Sequence, residues 1–333
     1  VSGEDIPGPH TRTVAEIPQS DLAIIAIAAK YVPDTLRTLA GEKSTKGFII
    51  LSAGFSELGE EGKALEREVV EIVESARGSL IGPNCVGVMN SFYRGAFACA
   101  VPRLVPEGCD FVSGSRATAS FILEYAIPLG LQFSSIFSVG NSAQIGVEEV
   151  LQYWNETFDE KTSSKVKLIY IEKMDKPDLF LKYASSLIGK GCKIAAIKAG
   201  TTSAGSRAVS SHTGALAGSD AAVDALFRKA GIVRCSSREE MVNVANVFLH
   251  KELKGDRIAV ITHAGGPGVL LTDALAKNNM KVPHISGAKA DELLSKLFHG
   301  SSVANPIDFL ATRAAEQLGT ILDYVDNEFE DID

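Results

Sequence analysis

The sequence lacks the features that define several large classes of protein. Its 333 residues include 5 cysteines, none in a Cys-x-x-Cys pair, which argues against a zinc site or a disulfide framework and favours reduced thiols. No apolar run is long enough to span a bilayer, and no signal-peptide pattern is present. The net charge of −8, without a long Lys/Arg run, disfavours nucleic acid and anionic membranes as partners. We therefore expect a cytoplasmic α/β protein.

A dinucleotide-binding fingerprint is also missing, although apolar runs alternate with helical patterns along the chain. The runs that predict strands are residues 21–29, 47–52, 79–84, 110–112, 132–139, 166–171, 193–198 and 257–262. The patterns that predict helices lie near residues 33–39, 57–76, 117–129, 146–154, 177–190, 220–230 and 265–278. This alternation predicts tandem doubly wound parallel sheets, with the first run buried on both faces. An NAD-dependent oxidoreductase would fit the alternation, but it would lack its fingerprint.

Loop-forming residues predict where the domains divide. Pro102, Pro106 and Gly108 mark one boundary. The predicted domains are residues 1–104, 105–253 and 254–333. The first begins without a Gly-rich strand–turn–helix and the third ends without a sheet-closing strand, so we expect both to be incomplete.

The stretch from Lys198 to Ser219 is dense in Gly, Ser, Thr and Ala around a single histidine, His212. We interpret it as a loop whose small residues let backbone N–H groups approach an anion. Neutral imidazole is a good nucleophile near neutral pH, so His212 could carry a phosphoryl group. The alternative is an idle histidine on a surface loop.

Polar residues follow three other predicted strands. Ser113-Gly114-Ser115 and Gly140-Asn141 each stand between a strand and a helix, where N–H groups can hold phosphate or where side chains simply cap the helix. Glu172 ends a strand, where its carboxylate could orient an imidazole or could merely be solvated. Because strand ends gather on one rim of a doubly wound sheet, these residues could share a phosphate with His212. His263, before Gly265 to Gly268, resembles a phosphate-binding turn only weakly.

Taken in order, these segments resemble the ADP-forming acyl-CoA (acetyl-CoA) synthetases, which are related to the succinyl-CoA synthetase α subunit. The segments are Ile81-Gly-Pro-Asn84, the turn at Ser113, Gly140-Asn141, Tyr170-Ile-Glu172, Ser210-Ser-His212-Thr-Gly214, Thr262 to Gly268 and Asn305-Pro-Ile-Asp308. The resemblance covers nearly the whole chain. It implies a Rossmann-like CoA-binding domain followed by flavodoxin-like domains.

The resemblance also implies residue roles. His212 would be the phosphorylated histidine, and Glu172 would hydrogen-bond it. The implied phosphate-binding residues are Ser113, Gly114, Ser115, Gly140, Asn141, Ser211, Thr213 and Gly214. The implied CoA-binding residues are Leu51, Ser52, Ala53, Gly54, Pro83 and Asn84, with Ser120 near the acyl pocket. No metal ligand is expected in the chain.

The implied reaction turns acyl-CoA, ADP and phosphate reversibly into a carboxylate, CoA and ATP. ATP or ADP and Mg²⁺ would bind an ATP-grasp domain or β subunit that these residues do not include, so we expect an oligomer that is inactive without it. The sequence departs from the family in lacking the initial CoA-clasping turn, in Gln144 where an acidic residue is usual, and in Arg116 where a small residue is common. The alternative is a non-catalytic acyl-CoA-sensing module of a fused protein acetyltransferase, which would not need His212.

Overall fold

A computed structural model describes residues 13–97, 100–213, 219–312 and 315–333, without the side chains of residues 210–213 and 312. The chain divides into two compact units, one that ends at His250 and one that comprises Lys251–Asp333. Within the described residues the units contain three sheets of three, seven and two strands, and most strand pairs are parallel. The predicted α/β class is therefore confirmed. No helix in these ranges is long and apolar enough to cross a membrane.

The three-stranded sheet is parallel and has the order β1-β2-β3. Its strands are β1 (Leu22–Ile25), β2 (Gly47–Ile50) and β3 (Ser79–Ile81), connected through helices α1 (Val32–Glu42) and α2 (Glu60–Ser75). Phe48 and Ile50 of the central strand pack with Leu36 and Val69 in one apolar cluster.

The prediction that the first apolar run is buried on both faces is wrong. Leu22 is 37% exposed and Ile24 is 41% exposed. Among the described strands, β1 pairs only with β2 and so lies at an edge of its sheet. Apolar composition gave the correct type of element but not its place in the sheet.

The seven-stranded sheet has the order β10-β9-β8-β6-β7-β4-β5. Its strands are β4 (Gly87–Met89), β5 (Arg94–Ala96), β6 (Leu104–Ser113), β7 (Phe133–Ser138), β8 (Val166–Ile171), β9 (Lys193–Lys198) and β10 (Val233–Cys235). The helices that accompany it are α3 (Arg116–Ala126), α4 (Val147–Glu156), α5 (Pro177–Gly189), α6 (Ser203–Thr213), α7 (Asp220–Ala230) and α8 (Arg238–Leu249). Residues of α3 and α8 share one core cluster, and residues of α4, α5 and α7 share another. The sheet is therefore covered on both faces, as the sequence predicts.

Two findings differ from the sequence-based expectations for this unit. Strands β4 and β5 lie before residue 104, yet they pair with the seven-stranded sheet rather than with β1 to β3. Residues 203–213, which we expected to form a loop, are helical in α6. The small residues of α6 include no proline, and the N–H of Gly205 donates to the Thr202 hydroxyl at 3.0 Å, which caps the helix start.

Gly140 lies where the two sheets of this unit are joined. Its φ is +55°, and a Cβ atom there would lie 2.1 Å from the Pro83 carbonyl oxygen. Glycine therefore allows the turn after β7 to approach the segment after β3. The N–H groups of Asn141 and Ala143 donate to the carbonyls of Pro83 (2.9 Å) and Gly82 (3.2 Å). This contact fixes the position of the turn.

The second unit contains β11 (Ile261–Thr262) and β12 (Ile307–Asp308), which pair in parallel, and helices α9 (Gly265–Lys277), α10 (Ala288–Lys296) and α11 (Ala315–Asn327). Asn305 holds this unit together. Its side-chain oxygen accepts from the N–H of Val260 at 2.8 Å, and its amide donates to the carbonyls of Ile258 (3.0 Å) and Pro283 (2.9 Å). The Asn305-Pro-Ile-Asp308 motif therefore has a structural role.

Candidate active site

The carboxyl ends of four strands meet at one edge of the seven-stranded sheet. Ser113 at the end of β6 is in register with Ser138 of β7 and Tyr170 of β8, and Ile171 is in register with Lys198 of β9. This edge is where ligands bind in open α/β sheets. The polar residues that we predicted at strand ends therefore come together.

A cavity of 160 Å³ opens at this edge. Its lining residues are Ser56, Glu57, Asn84, Gly114, Ser115, Arg116, Ala117, Gly140, Asn141, Ser142, Val147, Glu148, Ile171, Glu172, Lys173 and Asp175. Six of these are among the predicted site residues, namely Asn84, Gly114, Ser115, Gly140, Asn141 and Glu172. Residues from the regions of both sheets line the cavity, so the cavity belongs to the first unit as a whole.

The turn before α3 is built by hydrogen bonds among its own residues. Ser113 is fully buried, and its hydroxyl donates to the Ser115 carbonyl at 2.8 Å and accepts from the Ser115 N–H at 3.2 Å. The Ser115 hydroxyl caps α3 by accepting the Thr118 N–H at 3.4 Å, and the Gly114 N–H donates to the Tyr170 carbonyl at 3.0 Å. Ser113 therefore shapes the turn and does not line the cavity.

The first-turn N–H groups of α3 that remain for a ligand are those of Arg116 and Ala117. Both residues line the cavity, and at these helix positions the N–H has no acceptor within the helix. A helix N-terminus with two free N–H groups is a natural seat for phosphate. Gly114 and Ser115 were the residues predicted for this task, but their N–H groups are already occupied.

Glu172 is one of two buried carboxylates that line the cavity, with 9% exposure. Its oxygen accepts a hydrogen bond from the Tyr170 hydroxyl at 3.4 Å. Burial raises the pKa of Tyr170 to about 12, and the negative charge of Glu172 adds to this while the Thr118 hydroxyl opposes it. Tyr170 therefore stays a protonated donor to Glu172, and the rest of that carboxylate is available to an incoming group.

Asn141 connects the cavity to the first sheet through acidic residues that the sequence analysis did not single out. Its amide nitrogen lies 2.7 Å from a Glu57 oxygen and 2.9 Å from a Glu66 oxygen. Burial raises the pKa of Glu57, but the Gly54 N–H and the Asn141 amide outweigh it, and the net shift is downward. The donors of Asn141 are thus engaged with carboxylates, which disfavours them as phosphate ligands. The feature of the sequence that marks Glu57 is its place in the segment between β2 and α2.

The two segments predicted to bind CoA lie side by side. The N–H of Asn84 donates to the Ser52 carbonyl at 2.9 Å, and the N–H of Gly54 donates to Glu57 at 2.6 Å. Residues 51–54 and 83–84 therefore form one surface next to the cavity, to which Asn84 contributes directly. The CoA role of residues 51–54, Pro83 and Asn84 stays a prediction.

Two other positions are placed away from the reacting groups. Gln144 accepts the Leu80 N–H at 2.6 Å and donates to the Gly78 carbonyl at 3.4 Å, so this departure from the family serves the junction of the two sheets. The Ser120 hydroxyl donates to the Arg116 carbonyl at 3.5 Å within α3, and Ser120 is not among the lining residues of this cavity.

Of the segment around His212, the structure describes the backbone as far as Thr213. His212 lies in α6, and the side chains of Ser211, His212 and Thr213, together with Gly214, fall outside the described part of the chain. Helix α6 contacts the turn Ser56–Leu58, whose first two residues line the cavity. The helix that carries His212 is therefore next to the cavity wall.

Lys198 is a further buried charge that the sequence analysis missed. It is 4% exposed at the end of β9, and its ammonium donates to the Ala199 carbonyl. Burial lowers its pKa, while the charges of Asp220 and Glu172 act in the opposite direction. It lines a second, open cavity of 850 Å³ that Tyr170 and Thr118 also border. The feature of the sequence that marks Lys198 is its place at the carboxyl end of a strand whose central residues are apolar.

In the second unit, the ring of His263 lies 6.3 Å from that of Phe309, edge to face. The Thr262 hydroxyl closes the turn before α9 by bonding the N–H and carbonyl of Ala264. These contacts favour a structural role for His263. Among the described residues of the whole chain, no cluster of His, Cys, Asp and Glu is arranged to hold a metal ion.

Comparison with known proteins gives this geometry a context. Residues 106–248 match the family model of the succinyl-CoA ligase-like flavodoxin domain. The chain is 37% identical to the ADP-forming acetate–CoA ligase II subunit α of Pyrococcus furiosus, covering 92% of this chain and 65% of that subunit. It is 35% identical to the ADP-forming acetate–CoA ligase I of Archaeoglobus fulgidus, covering 96% of this chain and 46% of that protein.

A solved structure agrees. The dinucleotide-forming acetyl-coenzyme A synthetase 1 of Ca. Korarchaeum cryptofilum, in complex with phosphate and ADP, superposes with a TM-score of 0.82 at 27% identity. The match covers 100% of this chain and 71% of that one. Fold and cavity thus define a flavodoxin-like CoA-ligase region. The chain belongs to the ADP-forming acyl-CoA synthetases, the relatives of the succinyl-CoA synthetase α subunit.

Proposed function

We propose that this chain is the CoA-ligase region of an ADP-forming acyl-CoA synthetase that carries a phosphoryl group on His212. One observation carries the proposal. The buried Glu172 and the N-terminus of α3 open on the same cavity, and α6, which includes His212, contacts a turn that lines it. An acyl-CoA-sensing module would need no such arrangement, and the named relatives are ligases.

The first step joins phosphate to the acyl group. CoA would lie along residues 51–54 and 83–84, with the thioester at the cavity. A phosphate oxygen attacks the thioester carbonyl, the C–S bond breaks, and CoA leaves as the thiolate with an acyl phosphate as the other product. The N–H groups of Arg116 and Ala117 would hold phosphate oxygens at the start of α3.

The second step moves the phosphoryl group to His212. A neutral imidazole nitrogen attacks phosphorus, the P–O bond to the acyl group breaks, and the carboxylate leaves. The other ring nitrogen keeps its proton and donates a hydrogen bond to Glu172, whose charge stabilises the phosphorylated imidazolium. The Tyr170 hydroxyl donates a hydrogen bond to Glu172 and holds it in place.

The last step needs a partner. We propose that ADP or ATP and Mg²⁺ bind an ATP-grasp domain or β subunit, to which α6 and the residues after it would present the phosphohistidine. The complex would be an oligomer in the cytoplasm. The chain spans 65% of the Pyrococcus furiosus subunit and 46% of the Archaeoglobus fulgidus protein, so the complete activity is part of the proposal.

The test is phosphorylation of the full-length protein, together with its ATP-grasp region, by γ-labelled ATP and Mg²⁺. We expect acid-labile, base-stable label on the wild type and none on His212→Ala. His263→Ala is the matched control, because His263 contacts Phe309 in the other unit, and it should label like the wild type. Equal labelling of His212→Ala and wild type would refute the proposal.

A further inference from the structure

The side chain of Arg116 has no task in the proposed mechanism, which uses only its N–H group. Arg116 is the first residue of α3, is half-buried and lines the cavity together with Glu172. The resemblance to the family leads us to expect a small residue here. The guanidinium is therefore an addition that this particular sequence makes to the site.

The other cation of the cavity wall is already neutralised. Lys173 Nζ lies 2.8 Å from a carboxylate oxygen of Asp175. None of the side chains that the structure describes forms a hydrogen bond or ion pair with the guanidinium of Arg116. A half-buried guanidinium has five N–H donors to satisfy, so an anion that enters the cavity would find them unoccupied.

The carboxylates of the wall do not serve Arg116 either. Glu148 is 5% exposed and accepts the N–H groups of Asp175 (3.0 Å) and Lys176 (3.1 Å) ahead of α5. Glu57 accepts the Gly54 N–H and the Asn141 amide. Both carboxylates are fixed by donors of the fold, and the cation at Arg116 is left for a ligand.

The charge of Arg116 also acts on the segment that follows β3. The thiol of Cys85 is buried and donates to the Ile50 carbonyl at 3.3 Å. Burial raises the pKa of this thiol to about 11, and the positive charge of Arg116 acts against that rise. Cys85 directly follows Pro83-Asn84, and Asn84 lines the same cavity as Arg116.

We propose, on the basis of the proposed function, that Arg116 is a specificity-determining residue whose guanidinium binds an oxyanion of the substrates inside this cavity. Two groups could supply that oxyanion. One is the phosphate that attacks the thioester, and the other is a second carboxylate at the far end of a dicarboxylic acyl group. Both present a pair of acceptor oxygens that a guanidinium can bind in a bidentate manner.

The experiment uses the full-length protein with its ATP-grasp region and follows ATP formation. Values of kcat/KM are measured for phosphate at saturating acetyl-CoA, and for acetyl-CoA and succinyl-CoA at saturating phosphate. The variants are Arg116→Gln, which keeps the length without the charge, Arg116→Lys and Arg116→Gly. Arg103→Gln is the control, because Arg103 is exposed and does not line the cavity.

We expect Arg116→Gln to lower one of the anion-dependent kcat/KM values about 10- to 100-fold, as for a lost charge-assisted hydrogen bond. A loss confined to phosphate identifies the phosphoryl group as the ligand. A loss confined to succinyl-CoA identifies a dicarboxylic acyl substrate. Arg116→Lys should recover part of either loss, and Arg103→Gln should match the wild type.

The inference is overturned if Arg116→Gln leaves all three values within twofold, or if Arg116→Gly raises them together, as removal of an obstruction would. ATP-dependent labelling of His212 in the wild-type protein is measured in parallel. This readout does not depend on the Arg116 side chain. Failure of that labelling counts against the proposed function, whereas unchanged kinetics with intact labelling count against Arg116 alone.

Discussion

The buried charged groups at the two ends of the seven-stranded sheet differ in the number of partners that the fold gives them. Toward the amino ends, Lys167 is 1% exposed, and its ammonium contacts the Asp110 carboxylate and the Ser164 carbonyl, the latter at 2.9 Å. The other Asp110 oxygen accepts the Ser135 hydroxyl at 2.6 Å. The ring of Trp154 lies 5.3 Å from the ammonium. Every charged group in this cluster has partners supplied by the fold.

At the carboxyl ends the buried charges have few partners among the described residues. Lys198 donates to the neighbouring Ala199 carbonyl, and Glu172 accepts a long hydrogen bond from Tyr170. Arg116 lines the cavity without a charged partner in the described chain. Partners within the described chain do not offset the free-energy cost of burying these groups.

This difference separates structural charge from functional charge. A buried pair whose donors and acceptors are all used stabilises only while both members are present, and it offers nothing to a ligand. A buried charge with unused hydrogen-bonding capacity is what a binding or catalytic site requires. Substitutions at the amino ends should therefore change stability, and those at the carboxyl ends should change activity.

The largest effect on stability is expected at the amino ends. Lys167→Met leaves the Asp110 carboxylate buried without its cation, so the free energy of unfolding should fall by about 3–5 kcal/mol. Urea denaturation measures this fall. The double variant Lys167→Met/Asp110→Leu should recover most of it, and a loss below about 1 kcal/mol in the single variant would show that the pair is not a closed unit.

Glu172→Gln should act in the opposite way. It removes the negative charge that stabilises the imidazolium in the proposed mechanism, so the rate of ATP formation should fall about 10- to 100-fold. Because no cation in the described residues pairs with Glu172, the free energy of unfolding should change by less than about 1 kcal/mol. Steady-state kinetics and urea denaturation of one preparation measure both, with exposed Glu160→Gln as control. A stability loss as large as that of Lys167→Met would remove the contrast.

Lys198 offers a test by pH. Its pKa is lowered in the folded state, chiefly by burial, so the unfolded chain binds more protons between that lowered value and the ordinary 10.5. Stability contributed by this group therefore rises with pH across that window, and the penalty of the buried charge is fully present below it. Lys198→Met should be at least as stable as the wild type near pH 7 and should lack this rise. An identical pH dependence in both proteins would contradict the assignment.

The smallest effect is expected for Tyr170→Phe. The hydrogen bond to Glu172 is long, at 3.4 Å, so its loss should cost about 0.5 kcal/mol of stability and a correspondingly small part of the rate. Thermal denaturation and kcat measure the two effects. A loss of activity equal to that of Glu172→Gln would mean that Tyr170 has a larger task than holding the carboxylate.

Much of the first unit was predictable from local pattern. Strands β8 and β9 and helix α7 have the predicted bounds, because each is a long apolar or amphipathic segment with clear ends. Strands β4 and β5 were missed because three residues carry too little periodicity, and the pairing of β4 with β7 is a long-range choice. The exposure of β1 likewise depends on its neighbours in the sheet.

The site was predictable in its location and less so in its contacts. Strand ends gather at one edge of a parallel sheet, so Glu172, Gly140 and Ser115 could be expected together. Which N–H groups of the turn remain free depends on hydrogen bonds such as that from the Ser115 N–H to Ser113, which the sequence does not reveal. The engagement of Asn141 with Glu57 joins residues far apart in sequence, so only the folded chain shows it.

In the proposed function, the open charges at the carboxyl ends serve a phosphoryl group on His212. The most direct measurement is phosphorus NMR of the full-length protein with its ATP-grasp region after incubation with ATP and Mg²⁺. We predict a phosphohistidine signal in the wild type and in Arg103→Gln, and none in His212→Ala. Adding a carboxylate and CoA should discharge it. A signal that persists in His212→Ala, or one that the acceptors do not discharge, would contradict the account.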